Sequence, residues 1–482
     1  MDLSACHHHE HAHCLCDRET SVIEHMPIEH PPTERRKLSL LRMASWAGAA
    51  AGAILLVSVL TLLFFTDPLV NRFVKPRISQ ALAEAYPAYS IRIADMTYSP
   101  LRNRFGFDSV ALSGVGGTFS SAIGSLSVSG IGWMHLLWGG TLAPADFDSS
   151  VVVAQDIVLD FTEAQYVLRC ELLSVSVPDS EIRADALTLL PAVDDKQFFA
   201  ESKYRKTRFN LTAQQCRFRG VALLEALVHK TFRGRSVRIQ DLYLDVLINK
   251  EKASSKDTST LPMPNDILFS MKETVLCDSM DLINGALKYG ERFDVASKPA
   301  LITFDSMQVG VARVATRGGA NDTVVIRARG EFMKSGAAAI LMAIPVSPEF
   351  SFRYSGSLHA MDLRALNPFI EIAEQQRIKS GMLQTATFDI AVSAGSASGS
   401  VRAVYRDLTL AAINKHTGSE KGFLDGIASY IARTYKIRAT NVPDKSGAIM
   451  IGKVKYTRKR DDPFFRFWWF ALRSGVGNVV GF

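Results

Sequence analysis

Metal chemistry is the first chemistry that the residue types raise. Seven of the 11 histidines and three of the six cysteines fall in the first 30 positions, in and just after the tract Cys6-His7-His8-His9-Glu10-His11-Ala12-His13-Cys14-Leu15-Cys16. Imidazole and thiolate crowded into one short segment bind soft or borderline divalent ions. The spacing contains no C-x-x-C pair and fits no structural zinc class, and a His-rich tail binds such ions loosely whatever its role. We therefore assign no metal site and no cofactor. Translation from Met26 would delete the tract and keep the basic residues after it.

Catalytic arrangements are not expected. The sequence has no G-x-S-x-G nucleophile elbow, no G-x-x-x-x-G-K-[ST] phosphate loop and no H-E-x-x-H zinc helix. His135, His229 and His359 stand far apart without a patterned carboxylate, so no catalytic residue is named and no enzyme is expected. Gly114-Val115-Gly116-Gly117 lies between strand patterns and predicts a turn. Cys170, Cys216 and Cys277 form no disulfide framework. Either one pair bridges or each thiol is a small buried apolar residue, and the second reading is favoured. Asn210-Leu211-Thr212 and Asn321-Asp322-Thr323 match the glycosylation triplet, which carries no weight alone. The net charge of +7 comes without a basic block interleaved with aromatics, so no nucleic-acid partner is expected.

With 482 residues, 47% apolar and 21% charged, the chain is long enough for a sizeable core. Met43 to Phe65 is an uncharged run of 23 residues, which at ~1.5 Å per residue reaches the ~30 Å of bilayer hydrocarbon. It is too long for a cleaved signal and predicts one transmembrane helix over 43–65. Residues 1–42 form a tail with Arg35, Arg36, Lys37 and Arg42, expected in the cytoplasm, and the rest of the chain is expected on the other side. Asp67 as N-cap with Pro68 behind it starts a short juxtamembrane helical segment over 67–88, a hairpin or a helix kinked at Pro76.

Beyond residue 88 the apolar period becomes two, the signature of strands with one apolar face. It is explicit at Leu126 and Val128, at Ile157, Leu159 and Phe161, and at Leu242, Leu244, Val246 and Ile248. The expected architecture is mainly β: a long antiparallel sheet with a few short flanking helices. A polar stretch over 250–266 separates a first β-rich portion, 89–249, from a second, 267–462. Helical patches are predicted at Leu363 to Arg377, Gly422 to Tyr435 and 463–482. The last holds six aromatics in the eight residues Pro463 to Phe470. Phe465, Trp468, Trp469 and Leu472 share one of its faces, either as an interfacial element that meets lipid or a partner, or as a terminal helix that plugs the sheet.

Four stretches carry a resemblance: GSLHAMDLRALNPFIE (Gly356 to Glu371), IKSGMLQTATFDI (Ile378 to Ile390), SGSVRAVYRDLTL (Ser398 to Leu410) and DPFFRFWWFALRSGVGNVV (Asp462 to Val480). With the single early anchor and the strand-rich body, the chain resembles the AsmA-like family of bacterial envelope proteins, in particular its shorter members of unknown function. The resemblance implies an inner-membrane protein, N-terminus in the cytoplasm and body in the periplasm. It also implies kinship with larger AsmA and TamB proteins tied to outer-membrane homeostasis and lipid movement, whose sheet curls around an apolar concave face. The His/Cys tail has no counterpart in that pattern, and the strand-rich part is short for a complete conduit.

A sheet with one apolar face must bury it in a second layer or in a ligand. If the sheet curls without closing, that face is a groove for acyl chains; if it closes, it is ordinary core. Together with the resemblance, this favours the groove. The candidate lipid-facing residues are Phe350, Phe352 and Tyr354 on one strand pattern and Phe388, Ile390 and Val392 on another. The expected partner is membrane lipid, with an envelope-biogenesis protein as the alternative.

Overall fold

The computed structural model describes residues 49–61, 66–114, 116–117, 119–132, 143–223, 225–226, 231–253, 263–271, 274–294, 297–316, 322–413, 437–460 and 462–481. The tail 1–42 and the helical patch over 422–435 lie outside them. Within the expected span, helix α1 (Ala49–Thr61) is described. Among the described residues no single helix is long and apolar enough to cross a membrane. The chain divides after Leu62 into two compact units, the first holding α1 and the second holding the sheet.

The alternating stretches become strands of one 18-stranded sheet. Seven precede the polar stretch in simple succession: β1 (Tyr89–Ser99), β2 (Arg104–Gly114), β3 (Ser120–Ser129), β4 (Val151–Phe161), β5 (Tyr166–Ser176), β6 (Glu181–Pro191) and β7 (Thr207–Arg219). Strands β8 (Thr231–Gln240) and β9 (Tyr243–Asn249) lie end to end along β7. Then come β10 (Thr274–Arg292), β11 (Ala300–Ala315), β12 (Thr323–Phe332), β13 (Gly336–Pro345), β14 (Phe352–Leu358), β15 (Met361–Asp362), β16 (Gln376–Ser393), β17 (Ser396–Ala412) and β18 (Ile451–Thr457). Neighbouring strands in the sheet pair antiparallel, β15 lying beyond β14 along β16, with one exception. Strand β10 runs parallel to β8 and β9, with Thr274 opposite Thr231 and Arg292 opposite Asn249.

That exception corrects the expectation of a purely antiparallel sheet. Parallel neighbours need a crossover connection rather than a hairpin. The connection here covers 250–273 and includes the polar stretch that composition singled out. The sheet continues across it, because β8 and β9 pair with β7 on one side and with β10 on the other.

Helices are few and peripheral. Helix α2 (Thr66–Ala85) is continuous rather than a hairpin, with a π turn at Val70–Val74 just before Pro76. Proline has no N–H to offer the preceding turn, so a widened turn absorbs the missing bond. Helix α3 (Asp195–Ala200) buries Phe198 and Phe199 against Tyr166 and Leu247. Helix α4 (Pro264–Ser270) lies in the crossover, and α5 (Asn367–Ala373) packs on β11 and β16. Helix α6 (Phe464–Val480) packs on β17 and β18.

Both outer strands are covered. Strands β1 and β18 each have one strand partner among the described residues. Asp67, Asn71 and Lys75, spaced four apart on α2, reach the backbone of Tyr98, Met96 and Ala94, spaced two apart on β1. At the far edge Ser474 and Asn478 of α6 accept the N–H groups of Lys455 and Lys453 at 3.2 and 3.1 Å. About one helical turn, ~5.4 Å, approximates two residues of strand, ~6.8 Å, so each helix can serve successive outward groups.

Candidate functional site

Residues directly opposite each other on paired strands point to the same face. From β1, one such row runs Met96, Phe107, Leu126, Ala154, Leu173 and Ala184, then Cys216 and Ile239 on β7 and β8. It crosses the parallel step to Leu282 and goes on through Val309, Ala328 and Ile340. It ends with Gly356, Phe388, Val401 and Gly452. Every position is apolar or glycine, so one apolar face is continuous across the sheet.

Beside this row the strands change phase. The register between β2 and β3 passes from Asp108 opposite Ser125 to Val110 opposite Ile123, leaving Ser109 and Gly124 unpaired. The same gap recurs at Asp156 and Glu171 between β4 and β5, and at Ala186 and Gln214 between β6 and β7. Ser109, Asp156, Ala186, Asp241, Asn284 and Ser306 adopt φ between 50° and 56°. A left-handed residue inside a strand flips the pleat. The next inward side chain therefore arrives after three positions instead of two, as in Ala154 to Ile157. Residues on the two sides of the break meet: Ala154, Ile157 and Cys170 are buried together among Ile123, Leu126, Leu159, Leu173, Ala184 and Leu187. The break residues Ser109, Asp156 and Ala186 are exposed or half-exposed.

The two parts of this face differ in what covers it. On β14 to β18 the cover is α6. Tyr354 and Ile390 are fully buried, Phe352 and Val392 nearly so, and Phe350 and Phe388 pack at the margin of the same core. Phe467 sits 5.3 Å from Phe350, ring centre to ring centre, and Trp468 sits 5.9 Å from Tyr354. Where the sequence placed hydrocarbon against these six side chains, the structure places the chain's own aromatic helix. Burial also pushes the Tyr354 hydroxyl well above its ordinary pKa. Between them, Arg353 and Asp389 point outward as an exposed pair at 2.5 Å, whose hydrogen bond holds the Asp389 carboxyl below the usual range.

The proposed interfacial face of α6 is divided likewise. Phe465 is 72% exposed. Trp468 and Leu472 pack on the core, and Trp469 meets the Phe369 ring edge-on at 6.3 Å.

On β2 to β7 no helix covers the face among the described residues, and its floor at Ala154, Ile157 and Cys170 is buried by strand neighbours. The side chains around the Ala154, Ile157 and Cys170 cluster all come from β3 to β6, and the helices pack on β1, on β11 and on β16 to β18, with α3 beside Tyr166 and Leu247. Sequence reasoning read Leu126, Ile157 and Leu159 as apolar strand positions but named none of this cluster as site residues. Their signal is the spacing of three within an otherwise alternating strand: Phe107 to Val110, Ile123 to Leu126, Cys170 to Leu173, Ala184 to Leu187, Ala213 to Cys216.

The thiols of Cys170, Cys216 and Cys277 are free and buried, in line with the reading of small apolar residues. Burial pushes all three above the ordinary thiol range. Gly116 and Gly117 form a turn between β2 and β3 with φ of 85° and 73°. His135 and His229 lie outside the described residues, and His359 donates its backbone N–H to Ala337 at 2.9 Å. Among the described residues no group of three His, Cys, Asp or Glu side chains is placed to hold a metal ion. No family model matches the sequence, and no curated protein matches it.

Proposed function

We propose that this is a non-enzymatic, single-pass inner-membrane protein whose sheet lies in the periplasm and holds lipid acyl chains on the helix-free apolar face of β2 to β7, in support of envelope biogenesis. The anchor rests on the uncharged run from Met43 to Phe65. The envelope setting rests on the resemblance to the AsmA-like family.

The single observation behind the lipid reading is an apolar face with no second layer over it among the described residues. Apolar residues flanking the pleat break cluster with one another, while the break residues turn to the other side. That makes the apolar side the concave one, a gutter whose axis crosses the strands. Five inter-strand steps from β2 to β7, at about 4.8 Å each, give roughly 24 Å. Half the ~30 Å hydrocarbon thickness of a bilayer is only about 15 Å, so one tail fits along the gutter. Each CH₂ withdrawn from water contributes ~0.8 kcal/mol. A tail in a bilayer is already withdrawn, so the exchange between bilayer and gutter is close to balanced, which suits passage better than storage.

The sealed face of β14 to β18 favours a second reading for that end, a closed platform for an envelope-biogenesis protein. Mass spectrometry of lipid retained by the purified full chain tests the first reading. Phospholipid is expected in the wild type and reduced in Leu126→Glu and Leu173→Glu. Folded, lipid-free wild type would overturn it, and crosslinking that captures one protein and no lipid would favour the platform.

A further inference from the structure

On the opposite, polar face of β1 to β3 lies a pocket of about 330 Å³ lined by Asp67, Thr97, Arg104, Gly106, Asp108 and Ser127, among others. That volume is at the low end of ligand sites, ~300–1,000 Å³, and suits a small polar group. Its charges are unspent. Arg104 leans over Gly106 to donate to Ser127 Oγ at 2.8 Å and meets no carboxylate among the described residues. A Cβ at Gly106 would collide with Thr97 Oγ1, so glycine keeps the floor low. Asp108 stands directly opposite Asp95, a like-charge pair that costs stability unless a cation joins it. Neither meets a cation among the described residues. Asp67 uses one oxygen to accept the Tyr98 N–H at 3.1 Å.

The surroundings expose apolar and basic side chains. Asp67 follows Phe65, the last residue of the uncharged run, by two positions. Leu101, in the turn joining β1 to β2 beside the pocket, is 87% exposed, and Leu69 and Phe73 on α2 are 44% and 58% exposed. Arg72 and Arg102 accompany them, as basic residues do at anionic membrane surfaces.

We propose that this pocket binds a phosphate diester bearing a primary ammonium, the head group of an aminophospholipid in the adjoining bilayer, with the phosphate on Arg104 and the ammonium on Asp108. Four residues apart on one strand, the Cα atoms of Arg104 and Asp108 are about 13 Å apart. Arg104 reaches Ser127, the partner of Gly106, so its guanidinium lies level with a residue two positions, ~7 Å, from Asp108. A guanidinium recognises phosphate in charge-assisted pairs, and a primary ammonium can donate three hydrogen bonds to carboxylates, which a quaternary one cannot. The proposal rests on the membrane-anchored reading above but not on the gutter.

The test titrates the full-length protein in phosphatidylcholine nanodiscs with sn-glycero-3-phosphoethanolamine. Saturable one-to-one binding is expected, at least tenfold tighter than glycerophosphocholine or inorganic phosphate. Arg104→Gln and Asp108→Asn should each weaken it at least tenfold. Asp108→Asn removes the repulsion with Asp95, so its unfolding temperature should be unchanged or higher, which separates lost binding from lost folding. Absence of saturable binding, or equal binding of all three probes by wild type and variants, would overturn the proposal. The probe has no acyl chain, so this result is independent of lipid retained on the Ala154 face. A second arm compares backbone hydrogen exchange over 97–108 in phosphatidylethanolamine and phosphatidylcholine nanodiscs. Slower exchange in the former supports a bilayer source, and identical exchange overturns it.

Discussion

The carboxamide of Asn71 makes both backbone hydrogen bonds that a neighbouring strand would make to Met96: Nδ2 donates to the Met96 carbonyl at 2.8 Å and Oδ1 accepts the Met96 N–H at 2.9 Å. An open strand edge is a template for pairing with another chain. One helical side chain blocks it here, flanked by Asp67 and Lys75.

Asn71→Ala should therefore leave a donor and an acceptor without protein partners at that edge. We expect a loss of about 1–3 kcal/mol in chemical unfolding, with faster hydrogen exchange at Met96. An unchanged exchange rate there would show that the amide carries no protection. Self-association should rise in the same variant.

At the pleat break the usual rule for glycine in a strand reverses. Ala186 holds φ at 50° with its side chain exposed. A left-handed conformation costs a non-glycine residue about 1–2 kcal/mol, against roughly 0.5–1 kcal/mol of extra chain entropy for glycine. Ala186→Gly should be neutral to stabilising by up to about 1.5 kcal/mol, and Ala186→Val destabilising, both read from urea midpoints. Destabilisation by glycine would sink this account of the break.

The seal over β14 to β18 depends on close approach. A Cβ on Gly475 would fall 2.5 Å from Val401 Cγ2 and 2.7 Å from Val454 Cγ2. Gly475→Ala should cost about 1–3 kcal/mol as overpacking. Phe467 is fully buried against the Phe350 and Tyr456 rings, and Phe467→Ala should cost about 3–5 kcal/mol. Fluorescence of Trp468 and Trp469 in a denaturant series reports both.

The buried thiols give a pH signature. Cys170 and Cys216 have folded-state pKa values raised by burial above the unfolded ~8.5. Their contribution to stability is intact below that value. It is lost as pH rises through it toward the folded pKa, because only the unfolded chain releases the proton readily. Unfolding midpoints should fall from pH 8 to pH 10, and less steeply in Cys170→Ala/Cys216→Ala. Equal slopes would remove the thiols as the cause.

Strands were legible because alternation is local: Phe388, Ile390 and Val392 against Thr387, Asp389 and Ser393 form part of β16 as the spacing predicts. What covers them was not legible, since the pattern of a core strand and that of a ligand-lined strand are the same. The aromatic density of Phe464 to Phe470 fitted lipid and core equally, and only its position over Phe352 and Tyr354 separates the two. The joining of both halves of each strand into one face on β2 to β7 was not legible because the alternation there slips: Leu168 and Cys170 keep one phase, Leu173 and Val175 the other. A count of period two scores such a strand as two weak fragments, and the left-handed residue between them carries no fixed residue type: Ser109, Asp156 and Ala186 share a conformation and an outward position rather than a chemistry.

The antiparallel steps on either side of the crossover between β9 and β10 limit how a chain of this plan can vary in reach. Because every other step is antiparallel, inserting one strand would reverse the direction of every later strand and carry the C-terminal helix to the opposite rim. Inserting a hairpin would not. Growth or trimming therefore proceeds in pairs, in increments of about 10 Å, with the end caps left intact.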